Sequence, residues 1–261
     1  MRAGLILLIA AVWSAPCAAQ ELQPSLWPSA DTALGTRHAP LTQPPATVRP
    51  YVVRWWEAAA VVGGVGALLA DDRHVAHDVR EHPTDGAADF ASAFRKAGDV
   101  KVYTALTLGT LGVGLLAKDA GISRTGAQLA ASGVLAAASV GLLKVATGRS
   151  RPDARQGTYD FHPFSGGGSF PSGHAAIAFA LATTLGDASH STWVTGGLYL
   201  IATGTAWSRV YDERHWPSDV FLGAALGVTS AKLINGRWRI FGLRSPGFLV
   251  SPARAGLQVS F

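Results

Sequence analysis

Long apolar stretches alternate with short polar junctions along this chain. Apolar runs cover about residues 53–70, 103–117, 125–146, 173–186, 191–208 and 217–234. They are rich in Ala, Leu and Gly and lack the two-residue alternation of half-buried strands, so their length and composition predict helices. Between 71 and 102 the chain turns charged and amphipathic, with Phe90, Phe94 and Val100 set among polar residues, which predicts a further short helix plus loops. Asn235-Gly236 is a helix stop. The pattern predicts an all-α domain over 51–236, a helical bundle of about six core helices, with no internal repeat.

The flanks read differently. Residues 1–19 have the form of a signal peptide: Arg2 supplies the positive end, Leu5 to Val12 the apolar centre, and Cys17-Ala18-Ala19 a small-residue cleavage site. Pro16 and Ser14 argue against a lipoprotein box at Cys17. Cys17 is the single cysteine, so cleavage after Ala19 leaves a chain without disulfides, thiol catalysis or Cys-zinc sites. Residues 20–50 carry Pro24, Pro28, Pro40, Pro44, Pro45 and Pro50 and read as an extended Pro-rich linker. Residues 237–261, with Pro246, Gly247 and Pro252, predict an irregular C-terminal tail with a short hairpin at Leu249–Phe261.

Composition narrows the class. The chain is 48% hydrophobic and 15% charged, between an ordinary soluble protein and an integral membrane protein. A net charge of +5 suits solubility and an outer face attractive to anionic substrates or lipid headgroups. No dense Lys/Arg stripe with interleaved aromatics is present, so no nucleic-acid partner is expected. A bilayer core needs ~20 apolar residues, and several of the runs are shorter. A cleaved leader would put the mature N-terminus outside, and six spanning helices would then turn the motif-bearing junctions to the cytoplasm. The expectation is therefore an exported periplasmic or cell-envelope protein, soluble or peripheral ahead of integral in the membrane. The first run, Glu57 to Ala70, is the one expected not to span.

The chemistry sits at the junctions. Lys144 lies near the end of the 125–146 run, and Arg151 follows in a loop held extended by Pro152. Pro171-Ser172-Gly173-His174 opens the next helix. Ser172 can cap it or donate to a phosphate oxygen, and Gly173 lets backbone N–H groups approach an oxyanion. His174 is placed to protonate a leaving oxygen. Ser208-Arg209 closes the 191–208 run, and His215 stands just before a helix opened by Pro217. The positive end of that helix favours an anion and a neutral, nucleophilic imidazole. Asp219, four residues on, can accept a hydrogen bond from one ring nitrogen and aim the other. Lys144, Arg151 and Arg209 would neutralise the oxygens of a transferring phosphoryl group. Arg149, Arg155, Asp153, Asp212, Glu213 and Arg214 are read as loop charge or rim specificity. A capped helix or surface charge would explain any one of these features alone.

In this order the blocks Lys144-x6-Arg151-Pro152, Pro171-Ser172-Gly173-His174 and Ser208-Arg209-x5-His215-x3-Asp219 match, at every fixed position, the pattern of a known family. The chain resembles the type 2 phosphatidic acid phosphatase and vanadium haloperoxidase superfamily over roughly 55–235. The resemblance implies an all-helical core with the site at helix N-termini and connecting loops. It implies a metal-independent phosphatase for phosphate monoesters or diphosphates, with no cofactor and with vanadate as a phosphate-mimic inhibitor. On that likeness His215 forms a phosphohistidine, Asp219 orients it and His174 is the acid. Lys144, Arg151, Ser172, Gly173 and Arg209 bind the phosphate. The substrate partner would be a phosphorylated lipid or small molecule. A vanadate-dependent haloperoxidase or a phosphotransferase would use the same residues.

Overall fold

Side-chain caps set where the helices begin. The computed structural model describes residues 50–81, 86–165, 168–240, 247–251 and 254–258. The predicted leader, all but the last residue of the predicted linker, and the end of the predicted hairpin lie outside them. Among the described residues the chain forms α1 (Trp55–Glu81), α2 (Ala87–Ala97), α3 (Val100–Ala117), α4 (Ala120–Thr147), α5 (Gly173–Ser189), α6 (Thr192–Tyr211) and α7 (Pro217–Ile234). Asp99 caps α3, Asp119 caps α4, Ser172 caps α5 and Ser191 caps α6, each accepting from a backbone N–H of the first turn. Pro217 opens α7, where its missing N–H costs nothing.

The all-α expectation holds, with differences at the first helix and the tail. α1 does not stop near residue 70 but continues to Glu81, and Asp72 in this extension is fully buried. Its charged residues broke the apolar run without breaking the helix. Tyr51–Val52 (β1) pairs in parallel with Trp238–Arg239 (β2). Gly247–Ser251 (β3) pairs antiparallel with Arg254–Gln258 (β4), a hairpin as expected in the tail but beginning two residues earlier, at Gly247.

Small residues let the central helices approach closely. Ala136 and Val140 of α4 meet Ala176 and Ala180 of α5, with Leu226 of α7 packed against them. A Cβ at Gly223 would lie 2.4 Å from the Ser172 carbonyl oxygen, and one at Gly227 would lie 2.1 Å from that of Ala176. α7 thus lies against the backbone of α5, and the two helix starts are tied by Ser172 N–H donating to the Asp219 carbonyl at 2.9 Å. α4 and α6 arrive at the end of the bundle from which α5 and α7 leave. α1 reaches the same end through Asp72, which accepts from Ser218 N–H at 2.8 Å. α2 packs on the last turns of α6, with Phe94 against Gly204 and Phe90 edge-on to Trp207 at 5.5 Å.

The outer surface departs from the soluble expectation. Leu108, Val113 and Leu116 of α3, Val134, Leu142 and Val145 of α4, and Val194, Leu200 and Ile201 of α6 are exposed, Leu116 at 86%. Among the described residues α4 is long and apolar enough to cross a membrane, with mean hydropathy 1.8 over an 18-residue window of which 28% is buried. These apolar residues point outward, and a water-facing bundle is not supported by such a face.

Candidate active site

Four helix ends bring the predicted residues together. Lys144 comes from the last turn of α4, His174 from the first turn of α5, Arg209 from the last turn of α6, and Asp219 from the first turn of α7. His174 lies within electrostatic reach of Arg209, His215 and Lys144, and Lys144 within reach of Asp219 and Arg151. Residues scattered over 144–219 therefore share one locality.

His215 is buried, in the loop between α6 and α7. Its Nδ1 lies 2.8 Å from the Ser169 carbonyl oxygen. A carbonyl can only accept, so the ring proton is held on Nδ1 and the lone pair is left on Nε2. Burial pushes the imidazole below the ordinary histidine range, while Asp219 pulls in the opposite direction. The neutral, nucleophilic form is the one favoured near neutral pH.

Asp219 does not make the direct hydrogen bond expected of it. Its Oδ2 stands 3.6 Å from His215 Nδ1, beyond hydrogen-bond range. That oxygen accepts the Trp216 N–H at 2.8 Å and the Ser169 hydroxyl. Ser169 therefore stands between the two: its hydroxyl donates to Asp219 and its carbonyl receives the histidine proton. The other carboxylate oxygen, Oδ1, accepts from Arg149 Nη1 at 2.7 Å.

Arg149, expected to be loop charge or rim specificity, is fully buried. All of its donors are taken. Nη1 donates to Asp219 and to Ser218 Oγ at 2.8 Å, and Nη2 to Asp72 at 2.7 Å and to the Thr158 carbonyl at 2.6 Å. Nε donates to that carbonyl too, at 2.9 Å. The guanidinium carbon is 5.4 Å from the Phe161 ring centre and 5.3 Å from that of Trp216. Asp72, Arg149, Ser169 and Ser218 are the residues that sequence reasoning missed as parts of this site. For Arg149 the one available signal was its place two residues before Arg151.

The cations are engaged differently. Lys144 Nζ donates to the Gly168 carbonyl and lies 3.4 Å from that of Ser169, so it holds these two residues against α4. Arg209 Nη2 is paired with Asp212, which also accepts from Arg95 at 2.9 and 3.0 Å. Arg209 Nε is buried without a partner. An enclosed donor of this kind awaits an acceptor. The Arg151 side chain is exposed and makes no hydrogen bond or ion pair among the described residues. Ser172 accepts from Ala175 N–H at 3.4 Å, a cap contact, and Gly173 follows as the first residue of α5. Among the described residues no group of three His, Cys, Asp or Glu side chains could hold a metal ion.

Residues 125–239, which hold every predicted site residue, match the model of the PAP2 superfamily. Over that segment the chain is similar to the PAP2 superfamily. A lipid A 1-phosphatase of Porphyromonas gingivalis is 40% identical over 97 residues, 36% of this chain and 19% of that protein. An Escherichia coli protein with the provisional name undecaprenyl-diphosphatase YbjG is 34% identical over 95 residues, 35% of this chain and 46% of that one. The chain thus spans less than half the length of these curated relatives. Among solved structures, a transmembrane PAP2-type phosphatidylglycerolphosphate phosphatase from Bacillus subtilis superposes with a TM-score of 0.50 at 20% identity. The match covers 68% of this chain and 94% of that one. Its likeness is one of fold, and it places the PAP2 segment within a wider helical frame than 125–239 alone.

Proposed function

We propose that the chain is a membrane-embedded, metal-independent lipid phosphatase that works through a phosphohistidine. The observation that carries this reading is His215, with its proton fixed on Nδ1 and its Nε2 lone pair unengaged among the described residues, beside a buried Arg209 that has an unsatisfied donor. Nε2 attacks phosphorus as the bond to the leaving oxygen breaks, and His174 delivers a proton to that oxygen. Lys144, Arg151 and Arg209, with the Ser172 hydroxyl and Gly173 N–H, offset the charge on the three remaining phosphoryl oxygens. Water then attacks phosphorus, giving a proton to His174, and the P–N bond returns its electron pair to Nε2.

Lipid substrates are favoured by the relatives, whose names refer to lipid A and undecaprenyl diphosphate, and by the apolar outer face of α3, α4 and α6. α6, at 20 residues, is about 30 Å long, the thickness of a bilayer's hydrocarbon core. Trp55, Trp56 and Trp193 are exposed at one end of the bundle, and Tyr159 and Phe164 at the other, as in an interfacial aromatic belt.

The test is phosphate release from phosphatidic acid and a polyprenyl diphosphate in detergent micelles. His215→Ala should lower kcat by on the order of 10³ or more without changing the melting temperature. EDTA should leave the wild-type rate intact, and vanadate should inhibit it. Near-normal turnover by the variant would remove His215 as nucleophile, and loss of activity in EDTA would remove the metal-free mechanism.

A further inference from the structure

A cavity of about 760 Å³ lies beside the loops that carry Arg151 and His215 and takes no part in the chemistry above. Its volume is in the range of small-molecule sites. One wall is the polar C-terminal half of α1, with Arg73, His77 and Arg80; the other is the loop 152–160, with Arg155. Pro152 and Trp216, the chain neighbours of Arg151 and His215, also line it. The walls are built. The Thr158 carbonyl is held by buried Arg149, Tyr159 donates to the Leu69 carbonyl of α1 at 3.1 Å, and Ser150 donates to Gln156 at 2.9 Å.

The charges lining the cavity are not balanced internally. Arg73 and Arg155 make no ion pair among the described residues. His77 pairs with Glu81 at 3.0 Å, and Arg80 stands 3.7 Å from the same carboxylate. Asp160 and Glu213 also line the cavity, but Asp160 is occupied by His162 at 3.0 Å and by the Ser150 hydroxyl. Arg73 from α1 and Arg155 from the loop are lining guanidiniums without an ion pair among the described residues, against Glu213 as the one lining carboxylate likewise without one, and a guanidinium suits the oxygens of a tetrahedral oxyanion.

We infer that this cavity is a second anion subsite, taking a phosphate-class group while another phosphate faces His215. The inference deepens the phosphatase reading and rests on it for its substrate. The group is carried either by the substrate's own headgroup or by a neighbouring anionic lipid.

The experiment compares the full chain with Arg73→Ala/Arg155→Ala in detergent micelles, using a lipid with one phosphate and a lipid with phosphates on two separate sugar hydroxyls. The double variant should raise KM for the two-phosphate lipid about tenfold and leave the one-phosphate lipid within about twofold, with kcat unchanged. Added phosphatidylglycerol separates the sources. If a neighbouring lipid fills the cavity, it lowers the wild-type KM for the one-phosphate lipid and leaves the variant unmoved. An unchanged KM ratio together with no response to phosphatidylglycerol overturns the subsite. Equilibrium binding of inorganic phosphate reads the cavity without turnover: two sites in the wild type and one in the variant are expected, and one site in both overturns it. A wild-type chain that binds two phosphates but cleaves neither lipid refutes the phosphatase and leaves the subsite standing.

Discussion

Arg149 is the largest fully buried side chain among the described residues, and it connects carboxylates from α1 and α7. A guanidinium out of water is costly unless every N–H is met and its charge is countered, and both conditions hold here. Removing it would leave Asp72 and Asp219 facing each other without a cation. Arg149→Met should therefore destabilise the protein by about 3–5 kcal/mol. Arg149→Lys keeps the charge but offers at most three donors, and should cost about 1–3 kcal/mol. Thermal unfolding in detergent measures both, and an unshifted midpoint for the methionine variant would contradict this account. His174, His215 and Asp219 were readable from the chain because their motifs are local. Arg149 was not, because its partners stand 77 and 70 residues away. Ser169 escaped notice for a different reason: its carbonyl, which any residue would supply, receives the histidine proton.

The relation between α5 and α7 decides how close His174 and His215 come. Gly223 and Gly227 bring the helices into backbone contact, and the Ser172 N–H bond to the Asp219 carbonyl registers their first turns. Gly227→Ala would drive a methyl into the Ala176 carbonyl and should cost about 1–3 kcal/mol. Gly223→Ala pushes on Ser172 itself and should lower kcat as well as stability. Gly197 of α6 is a matched control, because nothing lies within 4 Å of a Cβ there. Alanine at that position should be neutral or stabilising by up to about 1 kcal/mol. Melting temperature and phosphate release on the three variants separate packing from helix propensity. The starts of α5 and α7 were legible because Ser172 and Pro217 act within one turn, whereas Asp99 and Asp119 start α3 and α4 ahead of the apolar runs read at 103–117 and 125–146. The length of α1 was not legible, since Asp71, Asp72 and Arg73 mark a polar break in sequence and only the fold supplies Asp72 with Arg149 and Ser218.

At the level of the whole bundle, six helices run between the site end and the opposite end, while α2 stays at the site end against α6. β1 and β2, which flank the first and last of these helices, pair with each other away from the site. On the membrane-spanning reading, the loop between α5 and α6 and the loop after Arg151 emerge on opposite faces of the bilayer. Thr192→Cys and Ala154→Cys, each in a Cys17→Ser background, should then label from opposite sides of sealed vesicles with a membrane-impermeant maleimide. Labelling of both from one side would rule out this arrangement.

The amino-acid sequence by itself determined the helix–junction rhythm, the helix starts at Ser172 and Pro217, and the motif residues that gather at one end of the bundle, because each is written within a few residues. Tertiary structure decided three other things. It placed Ser169 between Asp219 and His215, enclosed Arg149 between two acids, and turned the apolar faces of α3, α4 and α6 outward. An apolar periodicity reads the same whether a face meets protein or lipid, and an ion pair across some seventy residues leaves no local trace. Only the packed helices choose between those outcomes.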